Sequence, residues 1–281
     1  MVKYEITNLK IRLDRSIMGN VGVSYAKAMS LISDKDVKVN GKRVKENLTV
    51  YEGDVVEVFT NIERDISVVY EDDNIIVVFK DFGISTYDLL EKLISTRSEL
   101  HAVHRLDTNT QGLIMFAKNT SAYESLLDCF ERRELVKEYL AVVVGVPLRR
   151  ADKMIAYLKK DSDEGMVQIF DMPRQGRELI YTEYETREVF KGYALLNITL
   201  HTGKTHQIRA HMAYIGYPIL GDGKYGNAEA NKEFKLKRQE LIAYKISFKE
   251  PEGSLAYLNG KVFEIPNAEE KLASIKLIKS L

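Results

Sequence analysis

The sequence predicts an α+β protein that consists of a small N-terminal domain and a larger C-terminal domain. Strand-like segments recur at hairpin spacing along most of the chain, and helix-like segments are scattered among them. A polar stretch at residues 60–66 separates a compact first part from the rest. Hydrophobic residues make up 45% of the chain, which is enough for a substantial core. We therefore expect domains at residues 1–62 and 63–281, with a large, mixed, mostly antiparallel sheet in the second.

The first domain is expected to hold two helices and a small sheet. The segment "LDRSIMGNVGVSYAKAMSLIS" has two helical stretches, which we expect to be interrupted near Gly19–Gly22. Asn40 and Gly41 then join two short strands, because both residues tolerate the positive φ of a tight hairpin turn. Gly53 marks a further turn before the strand "DVVEVF". The hairpin carries four cations that either face solvent or contact a partner: Lys38, Lys42, Arg43 and Lys45.

The second domain combines many strands with four predicted helices. Strand patterns occupy, in order, "SVVYE", "NIIVVFK", "LIMFAK", "KEYLAVVVG", "GMVQIFDM", "LIYTEYETREVF", "YALLNITLHTG" and "QELIAYKISFKEP". Helix patterns occupy "STYDLLEKLIS", capped by Ser85 or Thr86, then "SAYESLLDCFERREL", "KTHQIRAHMAYIG" and residues 267–279.

Composition narrows the class of protein. The chain has 41 basic and 41 acidic residues, which argues mildly against a non-specific nucleic-acid binder but allows a local basic patch. No apolar run approaches the roughly 20 residues of a membrane helix, and the N-terminal residues alternate too regularly for a signal peptide. The single cysteine, Cys129, excludes a disulfide within the chain and has helical spacing. We expect a cytoplasmic protein in which Cys129 is buried in a helix.

The segment "HRLDTNTQGL" at residues 104–113 raises the question of chemistry. Its short polar residues end in Gly112 and predict a turn before a buried strand, with Asp107 in that turn. An aspartate can be a covalent nucleophile if it stays ionised and oriented, and a nearby guanidinium provides both. Arg105 and Arg209 are the candidates for that partner. The residues alone leave a structural ion pair and a nucleophile both open.

The five histidines invite a metal-site interpretation, which their spacing does not favour. His206 and His211 are five positions apart and would lie on different faces of a helix. The sequence has no HExxH, CxxC, GxSxG, Walker or GxGxxG pattern, and the glycines of "GDGKYG" lack phosphate-cradling spacing. A metal-dependent phosphodiesterase that uses the histidines remains an alternative at this point.

Three separated motifs resemble those of pseudouridine synthases of the RluA type. They are "HRLDTNTQGLIMFAK", "KEYLAVVVG" and "HTGKTHQIRAHMAYIGYPILGDGKYG", which occur in the family's order between roughly residues 70 and 250. The resemblance implies the pseudouridine synthase fold and an isomerase that converts specific uridines of ribosomal or transfer RNA to pseudouridine. Such an isomerisation is redox-neutral, so no cofactor and no metal are expected. The expected partner is structured RNA, and the expected state is a monomer.

The resemblance also assigns roles to residues. Asp107 matches the aspartate that attacks the flipped uridine, Tyr139 the tyrosine that lies against the uracil ring, and Arg209 the basic residue that pairs with the aspartate. Four further residues are expected to contact the substrate: Arg105, which enters the RNA where the base is flipped out, Ile208, which packs on the base, and His104 and Lys204.

The N-terminal domain has a resemblance of its own. Residues 13–59, and above all "VKVNGKRV" and "VYEGDVVEV", resemble the alpha-L RNA-binding module first known from a small-subunit ribosomal protein. The resemblance implies that Lys38, Lys42, Arg43 and Lys45 bind RNA. A non-catalytic RNA-binding or ribosome-assembly factor that kept the fold is the alternative to an enzyme.

Overall fold

The computed structural model describes residues 2–21, 23, 25–59, 66–97, 99–161, 165–236 and 238–280. The chain divides into two units, Met1–Ile66 and Ser67–Leu281. The predicted boundary between residues 62 and 63 and most of the predicted linker, residues 60–65, lie outside the described residues. In the described part of the chain, no helix has the length and apolar character needed to cross a membrane.

The helices and strands have the following bounds. The α-helices are α1 (Leu13–Val21), α2 (Tyr25–Ser33), α3 (Thr86–Ile94), α4 (Thr120–Glu131), α5 (Gln207–Tyr214), α6 (Ala228–Glu233) and α7 (Ala273–Ile278). The strands of the first unit are β1 (Val2–Glu5), β2 (Lys10–Arg12), β3 (Val37–Val39), β4 (Lys42–Val44), β5 (Thr49–Tyr51) and β6 (Val55–Val58). The strands of the second unit are β7 (Ser67–Glu71), β8 (Ile75–Lys80), β9 (His101–Ala102), β10 (Gln111–Ala117), β11 (Leu135–Val144), β12 (Ala151–Asp161), β13 (Met166–Phe170), β14 (Glu178–Phe190), β15 (Tyr193–Leu200), β16 (Leu241–Phe248) and β17 (Val262–Glu264).

The first unit is built around an antiparallel sheet in the order β1-β6-β3-β4, with β2 paired to β5. The predicted hairpin is confirmed, because Asn40 and Gly41 both have positive φ between β3 and β4. The two predicted helices are confirmed: α1 continues through Gly19 and ends at Val21, and α2 begins at Tyr25, so the interruption follows the Gly22 end of the predicted range, and Gly22 itself lies outside the described residues. A helix tolerates an interior glycine at about 1 kcal/mol, which the burial of Leu13 and Ile17 on the same helix offsets.

The second unit holds a large sheet in the order β13-β12-β14-β15-β11-β16-β10-β8-β7, to which β17 and β9 are added at β16 and β10. The pairs are antiparallel except β10 with β16, so the sheet is mixed and mostly antiparallel, as predicted. Every residue of β10 is buried, which identifies this strand as part of the core. Helix α4 covers it through Ala122, Leu126 and Cys129. Burial raises the pKa of the Cys129 thiol to about 11, so this cysteine is a core residue.

The predicted helix at residues 267–279 is divided in the structure. A 3₁₀ turn at Ala268–Lys271 precedes α7, and Leu272 between them is extended, with φ −86° and ψ 113°. The buried carboxylate of Glu240 explains the new start. Its Oε2 accepts the backbone N–H of Ser274 at 2.8 Å and the Ser274 hydroxyl at 2.9 Å. A tertiary contact therefore supplies the capping acceptor that the local sequence lacks.

Gly112 sets the contact between β10 and β16. It pairs with Ala243 of β16, and Tyr139 of β11 pairs with the same Ala243 from the other side. A Cβ atom on Gly112 would lie 2.2 Å from the carbonyl oxygen of Ala243, and its φ is +128°. The absence of a side chain at Gly112 therefore allows the turn that carries Asp107 to lie level with Tyr139, two strands away.

We predict that Gly112→Ala destabilises the protein by about 3 kcal/mol, because overpacking against backbone adds to the cost of a positive φ. Urea denaturation would measure this. Gly192→Ala is the matched control, since Gly192 has φ +79° and a Cβ there would meet nothing within 4 Å. The control should lose only about 1 kcal/mol. Equal losses in the two variants would show that the contact with Ala243 contributes nothing.

Candidate active site

The three motifs found in the sequence meet at one cavity of about 750 Å³ in the second unit. Asp107 comes from the turn between β9 and β10, Tyr139 from β11, and Ile208 and Arg209 from the first turn of α5. Residues separated by up to 102 positions are thus brought within contact distance. All seven predicted catalytic and substrate-contacting residues line this cavity: His104, Arg105, Asp107, Tyr139, Lys204, Ile208 and Arg209.

Asp107 lies at the floor of the cavity and is reachable from solvent. The backbone N–H of Thr110 donates to the Asp107 carbonyl at 3.0 Å, which closes the predicted turn. The side chain is 18% exposed, and its Oδ2 accepts a hydrogen bond of 3.0 Å from Nη1 of Arg209. Arg209 is therefore the partner of the carboxylate, while Arg105 is exposed at the cavity. This arrangement keeps an oxygen of Asp107 oriented and available.

Arg209 is itself held by a second carboxylate, that of Asp222. Its Nε donates to Asp222 Oδ2 at 2.6 Å and its Nη2 donates to Oδ1 at 2.9 Å, which is a bidentate pair. The side chains of Arg209 and Asp222 are 8% and 0% exposed. Burial acts to raise the pKa of Asp222, but the hydrogen bonds and charge of Arg209 outweigh it, so the pKa lies below its usual value. Arg209 is thus fixed before any substrate arrives.

The glycines of "GDGKYG" position Asp222. Gly221 has φ +80°, and a Cβ there would lie 1.9 Å from the carbonyl oxygen of Arg238. A Cβ on Gly226 would lie 2.1 Å from the carbonyl oxygen of Asp222. Asp222 Oδ1 also accepts the backbone N–H groups of Lys224 and Tyr225 at 2.8 and 3.1 Å. Sequence reasoning missed Asp222, and an aspartate enclosed by glycines in the third motif was the available signal.

His206 lies beside Asp107 in an uncommon backbone conformation. It precedes α5 with φ 54° and ψ 16°, which is the left-handed region. The Tyr225 hydroxyl accepts from the Val167 N–H at 2.8 Å and shares a hydrogen bond of 3.0 Å with His206 Nδ1. Burial, more than the nearby charges, lowers the pKa of His206. The other ring nitrogen of His206, Nε2, lies 3.9 Å from Asp107 Oδ2.

Tyr139 presents its ring to the cavity. The pairing of β11 with β16 shifts register between Glu138 and Tyr139, a bulge of the kind that redirects a side chain beside an active site. The side chain is only 5% exposed. Burial, assisted by the charge of Asp107, raises the pKa of the Tyr139 hydroxyl, so the phenol is neutral and able to donate its proton.

Gln207 holds the loop that leads into α5. Its Oε1 accepts from the Thr202 hydroxyl at 2.9 Å and from the Lys204 N–H at 3.1 Å. Its Nε2 donates to the Tyr181 carbonyl at 3.2 Å and to the Thr182 hydroxyl at 3.0 Å. The buried amide therefore ties the loop of residues 202–206 to β14. Lys204, at the edge of this loop, contacts Glu178 at 2.7 Å.

His104 and His211 each have a polar contact with the protein through one ring nitrogen, and the buried Nδ1 of His104 has no hydrogen-bond partner among the described residues. His104 Nε2 accepts the backbone N–H of Met115 at 3.0 Å, and burial lowers its pKa to about 3, so the ring is neutral. His211 Nδ1 lies 3.0 Å from the Thr182 hydroxyl. Among the described residues, no group of three or more histidine, cysteine, aspartate or glutamate side chains is arranged to hold a metal ion.

A buried lysine that sequence reasoning also missed supports the turn of Asp107. The Lys80 side chain is fully buried, and its ammonium donates to the carbonyl oxygens of Asp81, Ile84 and Thr108 at 3.0, 2.8 and 3.2 Å. Burial lowers the pKa of Lys80 to about 8, and the charges of Asp107 and Asp81 oppose that shift. Because Thr108 directly follows Asp107, this ammonium fixes the backbone beside the carboxylate.

The cavity is strongly basic although the chain has no net charge. Among the described residues that line it, Asp107 is the one carboxylate, whereas six lysine and arginine side chains contribute. These cations are Arg105, Arg133, Lys137, Lys204, Arg209 and Lys249. A cavity of this kind attracts an anionic substrate and concentrates it near Asp107.

Comparisons with known proteins identify the family to which this chain is similar. Residues 68–214 match the family model described as RNA pseudouridylate synthase. The chain is 31% identical over 254 residues to an uncharacterised RNA pseudouridine synthase of Bacillus subtilis (strain 168), YlyB, with 81% of this chain and 82% of that protein covered. It is 31% identical to ribosomal large subunit pseudouridine synthase D of Xylella fastidiosa, with 73% of this chain and 68% of that protein covered.

Two further similarities complete the comparison. The chain is 29% identical to ribosomal large subunit pseudouridine synthase C of Haemophilus influenzae, with 85% of this chain and 84% of that protein covered. The solved structure of human RNA pseudouridylate synthase domain containing 1 aligns with a TM-score of 0.58 at 22% identity, and the alignment covers 77% of this chain and 96% of that chain. The latter likeness supports the fold.

We predict that Asp222→Asn destabilises the protein by about 3 kcal/mol, because it leaves the buried guanidinium of Arg209 without its bidentate partner. Urea denaturation at neutral pH would measure the loss. Asp152→Asn is the control, since Asp152 forms a largely exposed pair with Arg149 at 3.1 Å, and it should lose no more than about 1 kcal/mol. A loss in Asp222→Asn no larger than in the control would contradict the role of the pair.

The same substitution should change the pH dependence of stability. The pKa of Asp222 is lowered in the folded state, so its stabilisation is present above the ordinary aspartate pKa of about 4 and is lost as the pH falls through the folded value. The difference in unfolding free energy between wild type and Asp222→Asn should therefore shrink below about pH 4. A difference that stays constant to low pH would contradict this.

Proposed function

Because this chain belongs to the RNA pseudouridylate synthase family, as an RluA-type enzyme that isomerises uridine to pseudouridine in RNA, we propose that Asp107 is its catalytic nucleophile. The observation that carries the proposal is the hydrogen bond of 3.0 Å between Asp107 and Arg209, an arginine already fixed by Asp222. The guanidinium orients the carboxylate in a cavity large enough for a flipped nucleotide.

The proposed reaction rearranges one base without gain or loss of atoms. The Asp107 carboxylate attacks the target uridine, and the glycosidic bond between N1 and the ribose breaks. The detached uracil rotates, and its C5 forms the new bond to the ribose while the bond between the substrate and the Asp107 carboxylate breaks, which regenerates the free carboxylate. The hydrogen of C5 leaves as a proton and N1 gains one, so the product is an isomer of the substrate. Tyr139, which is neutral and close enough to Asp107 to be affected by its charge, is placed to take part in these proton transfers.

The remaining cavity residues fit the handling of an extruded base. Ile208 is buried and lines the cavity next to Arg209, so it can pack on the uracil opposite Tyr139. Stacking on an aromatic ring is worth about 1–3 kcal/mol per base, which offsets part of the stacking lost in the RNA. Arg105 is exposed at the cavity and can fill the gap left in the RNA. Lys204 and His104 complete the proposed set of substrate-contacting residues.

We assign structured RNA as the substrate and favour ribosomal over transfer RNA. Several relatives, including those of Xylella fastidiosa and Haemophilus influenzae, have names that specify the large ribosomal subunit. We place the enzyme in the cytoplasm, and because one cavity on one chain suffices for the reaction, we propose a monomer. Transfer RNA would be preferred instead if a deletion strain lost a transfer-RNA pseudouridine and no ribosomal one.

The first unit is proposed to be an alpha-L-type module that binds RNA. Lys42, Arg43 and Lys45 are exposed on the hairpin, and Lys38 lies 5.0 Å from the ring of Phe59. Arg43 also lies over this ring at 5.2 Å and donates to the Lys35 carbonyl. Two of the four cations, Lys38 and Arg43, are therefore positioned by their contacts with the Phe59 ring.

We predict that Asp107→Asn abolishes release of tritium from RNA labelled at C5 of uridine, with a loss of at least a thousandfold, because the amide cannot act as the nucleophile. Asn keeps the size of the side chain and can still accept from Arg209. The control is Asp73→Asn, an exposed aspartate in the turn between β7 and β8, which should release label at the wild-type rate.

Wild-type release from Asp107→Asn would show that another group attacks the uridine. RNA binding without release in the wild type, on every cellular RNA, would favour a non-catalytic binding factor.

We predict that Lys42→Gln/Lys45→Gln weakens binding to a large-subunit ribosomal RNA transcript and makes its salt dependence shallower by about two in log–log slope, because two phosphate contacts are lost. Filter binding over a range of salt concentrations would measure both. Lys3→Gln/Lys10→Gln removes the same charge from the same unit and should leave the slope unchanged. If the two double variants behave alike, the hairpin is not an RNA contact.

A further inference from the structure

Lys137 is a buried cation that the proposed chemistry does not use. It lies on β11 two residues before Tyr139, and both side chains line the cavity. Only 8% of Lys137 is exposed. In the described part of the chain its ammonium has neither a hydrogen bond nor an ion pair, and it lies 4.7 Å from the centroid of the Phe130 ring. Asp107, the carboxylate of the cavity, is engaged by Arg209.

An unpaired ammonium in such a position is costly for the free protein. Removing a charge from water without a counter-ion destabilises the folded state unless the charge is neutralised or paired. Burial lowers the pKa of Lys137 to about 8, so most molecules still carry the charge at neutral pH. Its charge is also felt by its neighbour, since it adds to the lowering of the pKa of His104. A protein is expected to retain an unpaired buried cation where a bound ligand supplies the anion that pairs with it.

The surroundings of the ammonium leave room for that anion. A Cβ on Gly203 would lie 3.3 Å from Lys137 Nζ, and the φ of Gly203 is outside the left-handed region, so its backbone does not require glycine. The loop that contains Gly203 is held in place by Gln207. Two further cations, Arg133 and Lys249, are exposed and line the same cavity. The ammonium of Lys137 therefore lies close to the backbone of Gly203, at a place where the chain has no side chain, in a cavity whose lining is basic.

We propose that Lys137, with Gly203 opposite it, forms a phosphate-binding subsite that takes a backbone phosphate of the RNA next to the flipped uridine. The proposal rests on the function proposed above. A phosphodiester is the anion that every uridine in RNA carries with it. Two residues of a strand span about 6.6 Å, so Lys137 lies within one nucleotide of the Tyr139 ring. The phosphate would supply the missing counter-ion, and the lysine would fix the position of the nucleotide in the cavity.

The test compares Lys137→Met with wild type, using a short fluorescein-labelled oligouridylate and fluorescence anisotropy over a range of salt concentrations. Methionine keeps much of the length of the side chain and its contact with Phe130 but removes the charge. We expect binding to weaken about tenfold and the log–log salt slope to become shallower by about 0.7, which corresponds to one phosphate contact on a single strand. Lys137→Arg, which retains the charge, should recover most of the affinity.

Two further variants separate the subsite from general effects. Lys191→Met removes an exposed lysine from the turn between β14 and β15 and should bind like wild type. Gly203→Ala keeps every charge but fills the space in front of Lys137, and it should weaken binding. The proposal is wrong if Lys137→Met and wild type bind with the same affinity and slope, if Lys191→Met loses as much, or if Gly203→Ala binds like wild type.

The melting temperature of the free protein distinguishes a binding role from a structural one. If the charge serves the ligand, Lys137→Met should melt at or above the wild-type temperature, because an unpaired buried charge is gone. A lower melting temperature together with unchanged binding would show that Lys137 serves only to pack against Phe130.

The activity assay separates this inference from the proposed function. On labelled RNA, Lys137→Met should raise KM and largely keep kcat, whereas Asp107→Asn should lose kcat and keep oligouridylate binding. Tritium release that is independent of Lys137 would overturn the subsite alone. Binding that depends on Lys137, without release by the wild type, would overturn the proposed nucleophile and leave the subsite in place.

Discussion

A buried guanidinium between two carboxylates is the constraint on which the site of the second unit depends. Asp222 fixes two nitrogens of Arg209, and the third is thereby aimed at Asp107. The same guanidinium stabilises the charged form of the buried Asp222 carboxylate. The turn that carries Asp222 accounts for two glycines, since side chains at Gly221 and Gly226 would collide with backbone. The glycine-rich segment thus serves the orientation of an arginine and not the binding of a phosphate.

The sheet supplies the second requirement, which is the distance between the carboxylate and the aromatic ring. Gly112 of β10 and Tyr139 of β11 pair with the same residue of β16, Ala243. The turn of Asp107 is therefore held at the level of Tyr139 by backbone hydrogen bonds on a rigid core. The Lys80 ammonium supports the same turn through the carbonyl oxygen of Thr108 and is itself held by the carbonyl oxygens of Asp81 and Ile84. The proposed reaction requires accurate placement of Asp107 and Tyr139, and the paired strands of the buried sheet provide it.

The net charge of this protein is zero, but its charges are unevenly distributed. Equal numbers of acidic and basic residues coexist with a cavity whose described lining has six lysine or arginine side chains and one carboxylate. Two buried lysines, Lys80 and Lys137, differ in whether the fold offsets the cost of burying their charge. Lys80 is satisfied by backbone carbonyls, so its cost is offset within the fold. The Lys137 ammonium has no such acceptors, so the cost of burying its charge is not offset within the fold. Binding sites often retain local instability of this kind.

The sequence by itself determined the local structure and the set of motifs. The positive φ of Asn40 and Gly41, the helical burial of Cys129 and the mostly antiparallel sheet follow from preferences of neighbouring residues, and three spaced motifs were enough to indicate the family. The family resemblance indicated Arg209 as the partner of Asp107, but only the tertiary structure revealed that Asp222 holds the same arginine. Arg209 contacts residues 13 and 102 positions away, and Glu240 divides the predicted terminal helix from 34 positions away. The periodicity of apolar residues in a sequence indicates contacts between residues two to four positions apart. Ion pairing depends instead on burial and on distances between residues that are far apart in the sequence, and only the folded chain determines these.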